Sequence, residues 1–143
     1  MHRIILACLV PSLAVMAGCA APSGTPSAPA GTRFDGVYQG RSELLRGVAF
    51  QCGQPGLPDR IIVRDGRFDF PFQVDPPRTT PIPVQIAADG SFEGSIQYGT
   101  VDYSRFSNYR NEWATVTGRI TGDVLDATET DYRCARRSVL QRR

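Results

Sequence analysis

The sequence lacks two residue types on which much enzyme chemistry depends. It has no lysine, because all 16 of its basic residues are arginine, and its one histidine is His2. A domain without histidine or lysine cannot build a Ser-His-Asp triad, a Schiff-base site or an ordinary zinc site. We therefore expect a protein that is not an enzyme and that holds neither a cofactor nor a metal ion.

Long apolar runs are missing as well. The longest covers residues 4–17 and contains Pro11, whereas a membrane-spanning helix needs about 20 apolar residues. A run of this length after a short basic start is typical of the hydrophobic region of a signal peptide. It ends in Met16-Ala17-Gly18-Cys19. These small residues before a cysteine resemble the lipobox of bacterial lipoproteins, with methionine where leucine is usual.

The lipobox resemblance implies an address. Residues 1–18 would be removed as a lipoprotein signal peptide, and the thiol of Cys19 would be acylated with fatty acids such as palmitate. Ala20 and Ala21 replace the aspartate that retains enteric lipoproteins at the inner membrane, so we expect an outer-membrane anchor facing the periplasm. The alternatives are an ordinary secretory signal that is cut after Ala20 and an uncleaved anchor.

The remaining cysteines predict a disulfide. Cys8 leaves with the signal peptide, and Cys19 would be acylated. Cysteines of an exported domain are usually paired, so we predict a bridge between Cys52 and Cys134. If Cys19 were not acylated, it would be left as an odd exposed thiol, which supports the lipobox interpretation.

Composition divides the exported part in two. Residues 19–32 comprise the lipidated cysteine and a run rich in proline, serine and alanine, which predicts a disordered tether because such residues cannot bury a core. Residues 33–143 are long enough for one domain. The formal net charge of the whole chain is only +2, which does not favour nucleic-acid binding.

Arginine is concentrated near the end of the sequence. We interpret this basic cluster as a solvated strand end and tail. Contact with anionic lipid headgroups or with an acidic partner is the alternative. Its members are Arg133, Arg136, Arg137, Arg142 and Arg143.

Alternation of apolar and polar residues predicts an all-β domain. The pairs Asp65-Gly66, Asp89-Gly90 and Gly122-Asp123 predict hairpin turns, because these residue types tolerate positive φ. Eight strands would form one small antiparallel barrel, a lipocalin-like meander, or else a two-sheet sandwich; one disulfide would close either. The predicted strands cover residues 36–44, 47–52, 60–64, 67–72, 84–88, 92–98, 115–120 and 124–132.

Two further resemblances concern the domain. The start, Gly36-Val37-Tyr38, resembles the Gly-X-Trp opening of lipocalin-type barrels, with tyrosine in the place of tryptophan. The size, the single bridge and the β pattern are similar to those of small bacterial inhibitors of secreted metalloproteases. These resemblances imply an architecture, which does not by itself fix a function.

Acidic residues supply the remaining candidates for chemistry. A carboxylate pair could in principle cleave a glycosidic bond, but we interpret Glu93, Glu112 and Glu129 as outward-facing strand residues. The acidic run of residues 123–131 matches no calcium loop, so we interpret it as a solvated strand edge.

Aromatic residues mark the best candidate for a binding site. They lie in residues 98–113, interleaved with arginine, and such residues supply contact area and hydrogen bonds at recognition surfaces. Packing of the same rings as core across the barrel mouth is the alternative. The candidate binding residues are Tyr98, Tyr103, Arg105, Phe106, Tyr109, Arg110 and Trp113.

These observations together predict a lipid-anchored module of the cell envelope with a non-catalytic binding or structural role. The membrane would be contacted through the acyl anchor, and the further partner would be an envelope protein or a small apolar ligand. The alternative is an inhibitor of an exported protease that uses the tether or a loop to occupy the cleft of the enzyme.

Overall fold

Eight antiparallel strands dominate the part of the chain that the structure describes. The structure is a computed structural model, and it describes residues 29–53, 56, 58, 60–75, 78–102 and 108–143. No helix in these ranges is long and apolar enough to cross a membrane. The elements are β1 (Gly36–Arg46), α1 (Ala49–Cys52), β2 (Arg60–Val63), β3 (Arg67–Asp75), β4 (Arg78–Ile86), β5 (Ser91–Asp102), β6 (Asn108–Thr121), β7 (Val124–Thr130) and β8 (Ala135–Arg142).

The strands form a single, nearly closed barrel. Their order in the sheet is β2-β1-β8-β7-β6-β5-β4-β3, and every neighbouring pair is antiparallel. Strands that are consecutive in the chain are therefore neighbours in the sheet, except for β2 and β3, and β8 lies beside β1. The two ends of the sheet, β2 and β3, meet only at their own hairpin. The prediction of an all-β, eight-stranded antiparallel meander is confirmed in its barrel form, and the sandwich alternative is wrong.

The hairpin between β2 and β3 shows how a local signal fixes the fold. Asp65 and Gly66 have φ values of 52° and 66°, as a type I′ turn requires at its two central positions. The carboxylate of Asp35 accepts hydrogen bonds from both of their backbone N–H groups, at 2.9 and 3.0 Å. The turn is thereby attached to the segment that precedes β1.

The barrel has two ends, which we name by their connections. The hairpin end carries the β2–β3, β4–β5 and β6–β7 turns, and the disulfide end carries the other four connections. Residues 29–35 close the hairpin end: Pro29 forms an antiparallel bridge with Ala87, Ala30 N–H donates to the carbonyl of Ile86, and Phe34 is buried. The described part of the barrel therefore includes residues 29–32, which the prediction assigned to the tether.

Period-two alternation fills the interior with apolar side chains. Phe68 and Phe92 meet edge to face, with their ring centroids 5.1 Å apart, a favoured aromatic geometry. A Cβ on Gly118 would lie only 2.5 Å from the Phe92 ring, so glycine leaves the room that this ring occupies. The buried apolar set also includes Tyr38, Phe70, Phe72, Ile82, Ile86, Val116, Ile120, Leu125 and Leu140.

Two predicted elements are corrected by the structure. Residues 47–52, predicted as a strand, form a turn and the short helix α1, because Gly47 has a φ of 103° and lies against Cys134 and the Cys52 sulfur. The predicted basic tail is strand β8, which pairs with both β1 and β7. Strand β4 begins at Arg78 and includes Pro81 and Pro83, whereas the predicted strand begins at residue 84.

The predicted disulfide is confirmed. Cys52 and Cys134 are bonded, with their Cα atoms 5.7 Å apart, across 82 positions of sequence. The bond joins the connection between β1 and β2 to the connection between β7 and β8. It therefore fixes two neighbouring loops at the disulfide end.

Candidate functional site

The predicted aromatic segment divides between the interior and the surface. Tyr98 is only 6% exposed, and its ring packs 5.0 Å from that of Phe72. Its hydroxyl donates a hydrogen bond of 2.8 Å to Asp131, and burial raises the pKa of this phenol. Tyr98 is therefore a core residue, as the alternative interpretation of the segment held.

Other members of the segment lie on the outer wall or beyond the described part. Trp113 is 59% exposed and Arg110 is exposed, and both lie on β6. Tyr109 pairs with Val101 through the backbone. Tyr103, Arg105 and Phe106 lie outside the described residues, so their binding role stays a prediction.

A buried ion pair occupies the interior at the disulfide end. Glu129 and Arg136 are directly opposite each other on β7 and β8, with Oε1 and Nη1 3.2 Å apart. Arg136 is 1% exposed and Glu129 is 4% exposed, so the prediction that Glu129 faces outward is wrong. Burial raises the pKa of Glu129 to about 7, although the Arg136 charge opposes this rise.

Arg136 also connects the ion pair to the disulfide. Its Nη2 donates to the carbonyl oxygen of Cys52, the last residue of α1. Several buried polar atoms around the pair lack a hydrogen-bond partner within the described ranges, and each such atom costs about 1–3 kcal/mol. They are Gln73 Oε1, Thr100 Oγ1, Glu129 Oε2 and Ser138 Oγ.

Directed hydrogen bonds hold the turn between β7 and β8. One carboxylate oxygen of Asp131 accepts from the backbone N–H groups of Arg133 and Cys134, and the other accepts from Tyr98. The guanidinium of Arg46 donates to the carbonyl oxygens of Asp131, Tyr132 and Cys134. Together with the disulfide, these bonds tie the end of β1 to this turn.

Large apolar side chains project from these fixed loops. Phe50, on α1, is 79% exposed, and three other apolar residues at this end of the barrel, one at the end of β1 and two in the connections that follow β1 and β7, are each about half exposed. We call Leu45, Val48, Phe50 and Tyr132 the apolar rim. Exposed apolar groups that cluster together mark interaction sites more often than isolated ones do. Sequence reasoning missed this rim, although three apolar residues beside a predicted disulfide were a usable signal.

Residues of the acidic run form ion pairs with residues of the basic cluster. On the outer wall, Asp126 binds Arg137 at 2.7 Å and Asp123 binds Arg142. The hydrogen bond from Arg137 lowers the pKa of Asp126. On β7, Glu129 faces inward and Asp126 faces outward, whereas Asp123 and Asp131 lie in the connections at the two ends of this strand. Within the described ranges, no group of three potential ligands could hold a metal ion.

Comparisons with known proteins add no family to this description. A scan against models of protein families, a search of curated proteins and a search of solved structures each returned no match. The chain is therefore classified by its architecture, as a small, disulfide-linked, eight-stranded antiparallel β-barrel.

Proposed function

We propose that this chain is a lipid-anchored module of the bacterial cell envelope that binds another envelope protein through the apolar rim, without catalysing a reaction. The observation that carries the proposal is the exposure of Phe50 on a helix whose last residue is in the disulfide. Aromatic side chains in well-fixed positions are frequent anchors of protein interfaces.

The rim combines apolar area with rigidity. Burying apolar surface contributes about 25 cal/mol for each Å² that is removed from water. Binding also costs the entropy of ordering any mobile loop. The disulfide and the three hydrogen bonds from Arg46 hold these loops in place before a partner arrives. We therefore expect that little of the free energy gained by burying the rim is lost in ordering these loops.

The path of the chain orients the rim with respect to the proposed anchor. Pro29 joins the barrel at the hairpin end, beside Ala87, while the rim lies at the disulfide end. Pro29 follows Cys19 by ten positions, which reach about 30 Å if extended at about 3.1 Å each. A lipid anchor on Cys19 would therefore hold the hairpin end near the membrane and leave the rim facing away from it.

The interior charges favour a non-catalytic role. Glu129 has a pKa near neutrality, as a general acid or base requires. However, it is 4% exposed and engaged by Arg136. Asp131 is also buried and accepts bonds from Tyr98 and two backbone groups. These carboxylates serve to hold the disulfide end together, where a substrate does not reach them.

Site-directed cross-linking in cells tests the proposed interface. The full chain, with a photo-activatable residue in place of Leu45 of the rim, should capture one defined envelope protein, and the same residue in place of the exposed Gln97 on β5 should not. Phe50→Ser should abolish this capture with little change in melting temperature, because the side chain is mostly exposed. Inhibition of a captured exported protease would identify the inhibitor alternative.

Val139 supplies the matched control for the interface. It is a half-exposed apolar residue on β8, outside the rim, and Val139→Ser should leave capture unchanged. Equal capture by the probe at position 45 with and without Phe50→Ser would refute the rim. In the same cells, Cys19→Ser should release the chain from membranes, and a variant that stays with them would refute the anchor.

A further inference from the structure

The sheet ends at an open seam between β2 and β3. These strands are joined at Arg64 and Arg67, which exchange two backbone hydrogen bonds of 2.9 and 3.0 Å. In a continuing antiparallel ladder, Ile62 and Asp69 would form the next such pair. Within the described part of the chain, no pairing continues past Arg64 and Arg67. We call this gap the β2–β3 seam.

Proline explains part of the opening. Strand alternation directs the backbone groups of Asp69 and Pro71 towards β2, because those of Arg67 already point there. Pro71 has no N–H to donate, so a closed ladder would lack a bond at that position. β2 is also only four residues long, which limits what pairing with β3 could contribute.

The seam presents backbone groups beside a groove. The N–H and C=O groups of Arg60 and Ile62 point towards the gap by the same alternation, since those of Ile61 and Val63 point towards β1. The groove has a volume of about 840 Å³, and its outer lining includes Arg60, Ile62, Arg64, Arg67 and Asp69. Unpaired strand edges of this kind can accept a further strand.

Charge indicates what kind of strand fits. Arg60, Arg64 and Arg67 are exposed, and among the described residues none of them is joined in an ion pair. Asp69 is the one acidic residue in the groove lining. The groove is therefore net positive. A second copy of this chain would present the same arginines, and like charges placed opposite each other are destabilising.

The upstream part of this chain is a poor fit to the same groove. Residues 20–28 contain no acidic residue and include two prolines, which remove donors from a ladder. The occupant with complementary chemistry is therefore an acidic segment of another protein.

We propose that the β2–β3 seam binds an extended acidic segment of a partner protein as an added strand along β2. Residues directly opposite in a ladder share one face, so the register specifies a pattern. An apolar residue lies opposite the half-exposed Ile62, and an acidic residue two positions away lies opposite Arg60. Arg67 already occupies the position opposite Arg64, so the second acidic residue leaves the ladder there and lies beside the exposed side chains of Arg64 and Arg67. The pattern is acidic-x-apolar-x-acidic, and it is independent of the apolar rim.

A labelled synthetic peptide tests this pattern directly. The probe carries Glu-Val-Ile-Val-Glu at its centre and is titrated against the full chain in detergent, followed by fluorescence anisotropy and by amide NMR signals. We expect saturable binding with the largest changes at Arg60, Ile62 and Asp69. A peptide N-methylated at the central isoleucine, and one with lysine in place of both glutamates, should each bind at least about tenfold more weakly.

Variants of the chain separate the seam from non-specific attraction. Arg60→Glu with Arg64→Glu should reverse the preference, so that the lysine peptide binds more tightly. Arg119→Glu, on β6 in the opposite wall of the barrel, keeps the wild-type preference. Ile62→Pro removes an N–H that faces the gap and should weaken binding while the circular dichroism spectrum is retained.

Three results would overturn the proposal. The first is absence of binding at millimolar peptide, and the second is equal affinity for the N-methylated peptide. The third is a gain in affinity when residues 20–28 are deleted, which would show that the chain's own upstream segment occupies the seam.

Discussion

Protonation of Glu129 should make the stability of this protein fall as the pH rises towards neutrality. The folded state raises the pKa of Glu129 from an ordinary value of 4.5 to about 7. Between these values the folded chain holds a proton that the unfolded chain has lost, so raising the pH favours unfolding. At about 1.4 kcal/mol for each unit of pKa, the free energy of unfolding should fall by about 3 kcal/mol over this window and then level off.

The composition of the sequence simplifies the interpretation of this pH window. Residues 29–143 contain no histidine. Hydrogen bonds lower the pKa values of Asp89 and Asp126, so their effect on stability is confined to more acidic conditions. Burial raises the pKa values of Tyr38 and Tyr98, so these groups titrate only in alkali. A slope between about pH 5 and pH 7 can therefore be assigned to Glu129.

Urea denaturation followed by circular dichroism at several pH values measures this slope. Glu129→Gln resembles the protonated acid, so this variant should show a flat profile in the window. Glu93→Gln, on the exposed outer wall of β5, should behave as the wild type does. A wild-type profile that is flat, or stability that rises from pH 5 to pH 7, would refute the reasoning about the buried pair.

Two further predictions concern the contacts that hold the disulfide end. Replacing Cys52 and Cys134 together with alanine should lower the free energy of unfolding by about 4–5 kcal/mol, as expected for a loop of this length; reduction of the wild-type protein should cost a similar amount, and an unchanged denaturation midpoint would contradict the prediction. Tyr98→Phe should cost about 1–3 kcal/mol, because it removes the hydroxyl that donates to the buried carboxylate of Asp131; equal stability in denaturation experiments would show that the ring packing alone matters.

The fold was predictable where local chemistry and global packing agree. The Asp65-Gly66 turn and the alternating phenylalanines of β3 are strong local signals, and both appear as predicted. Strand β8, residues 135–142, was not among the predicted strands, because Arg136 occupies an inward position on it. Reading along the chain places an arginine outside, and only its pairing across the strands with Glu129 shows why it is inside.

The site was less predictable because strand register decides which face a side chain takes. Tyr98 lies opposite Glu112, so both face inward, and the next residue, Trp113, must face outward. The outward position that we predicted for Glu112 is therefore wrong. Composition grouped Tyr98 and Trp113 as equal candidates. The apolar rim was missed for the opposite reason: Val48 and Phe50 alternate as strand residues would, whereas Gly47 and the disulfide turn the chain there.

The pairing of β1 with β8 has a consequence for biogenesis. Strand β1 is the first of the sheet to be synthesised, and one of its two neighbours, residues 135–142, is the last. A chain still emerging from a ribosome or a translocation channel therefore exposes the bare edges of β1 and β7. Exposed edges invite aggregation and proteolysis. A polypeptide that is cut short before Ala135 should therefore be cleared by cellular proteases while the finished barrel persists.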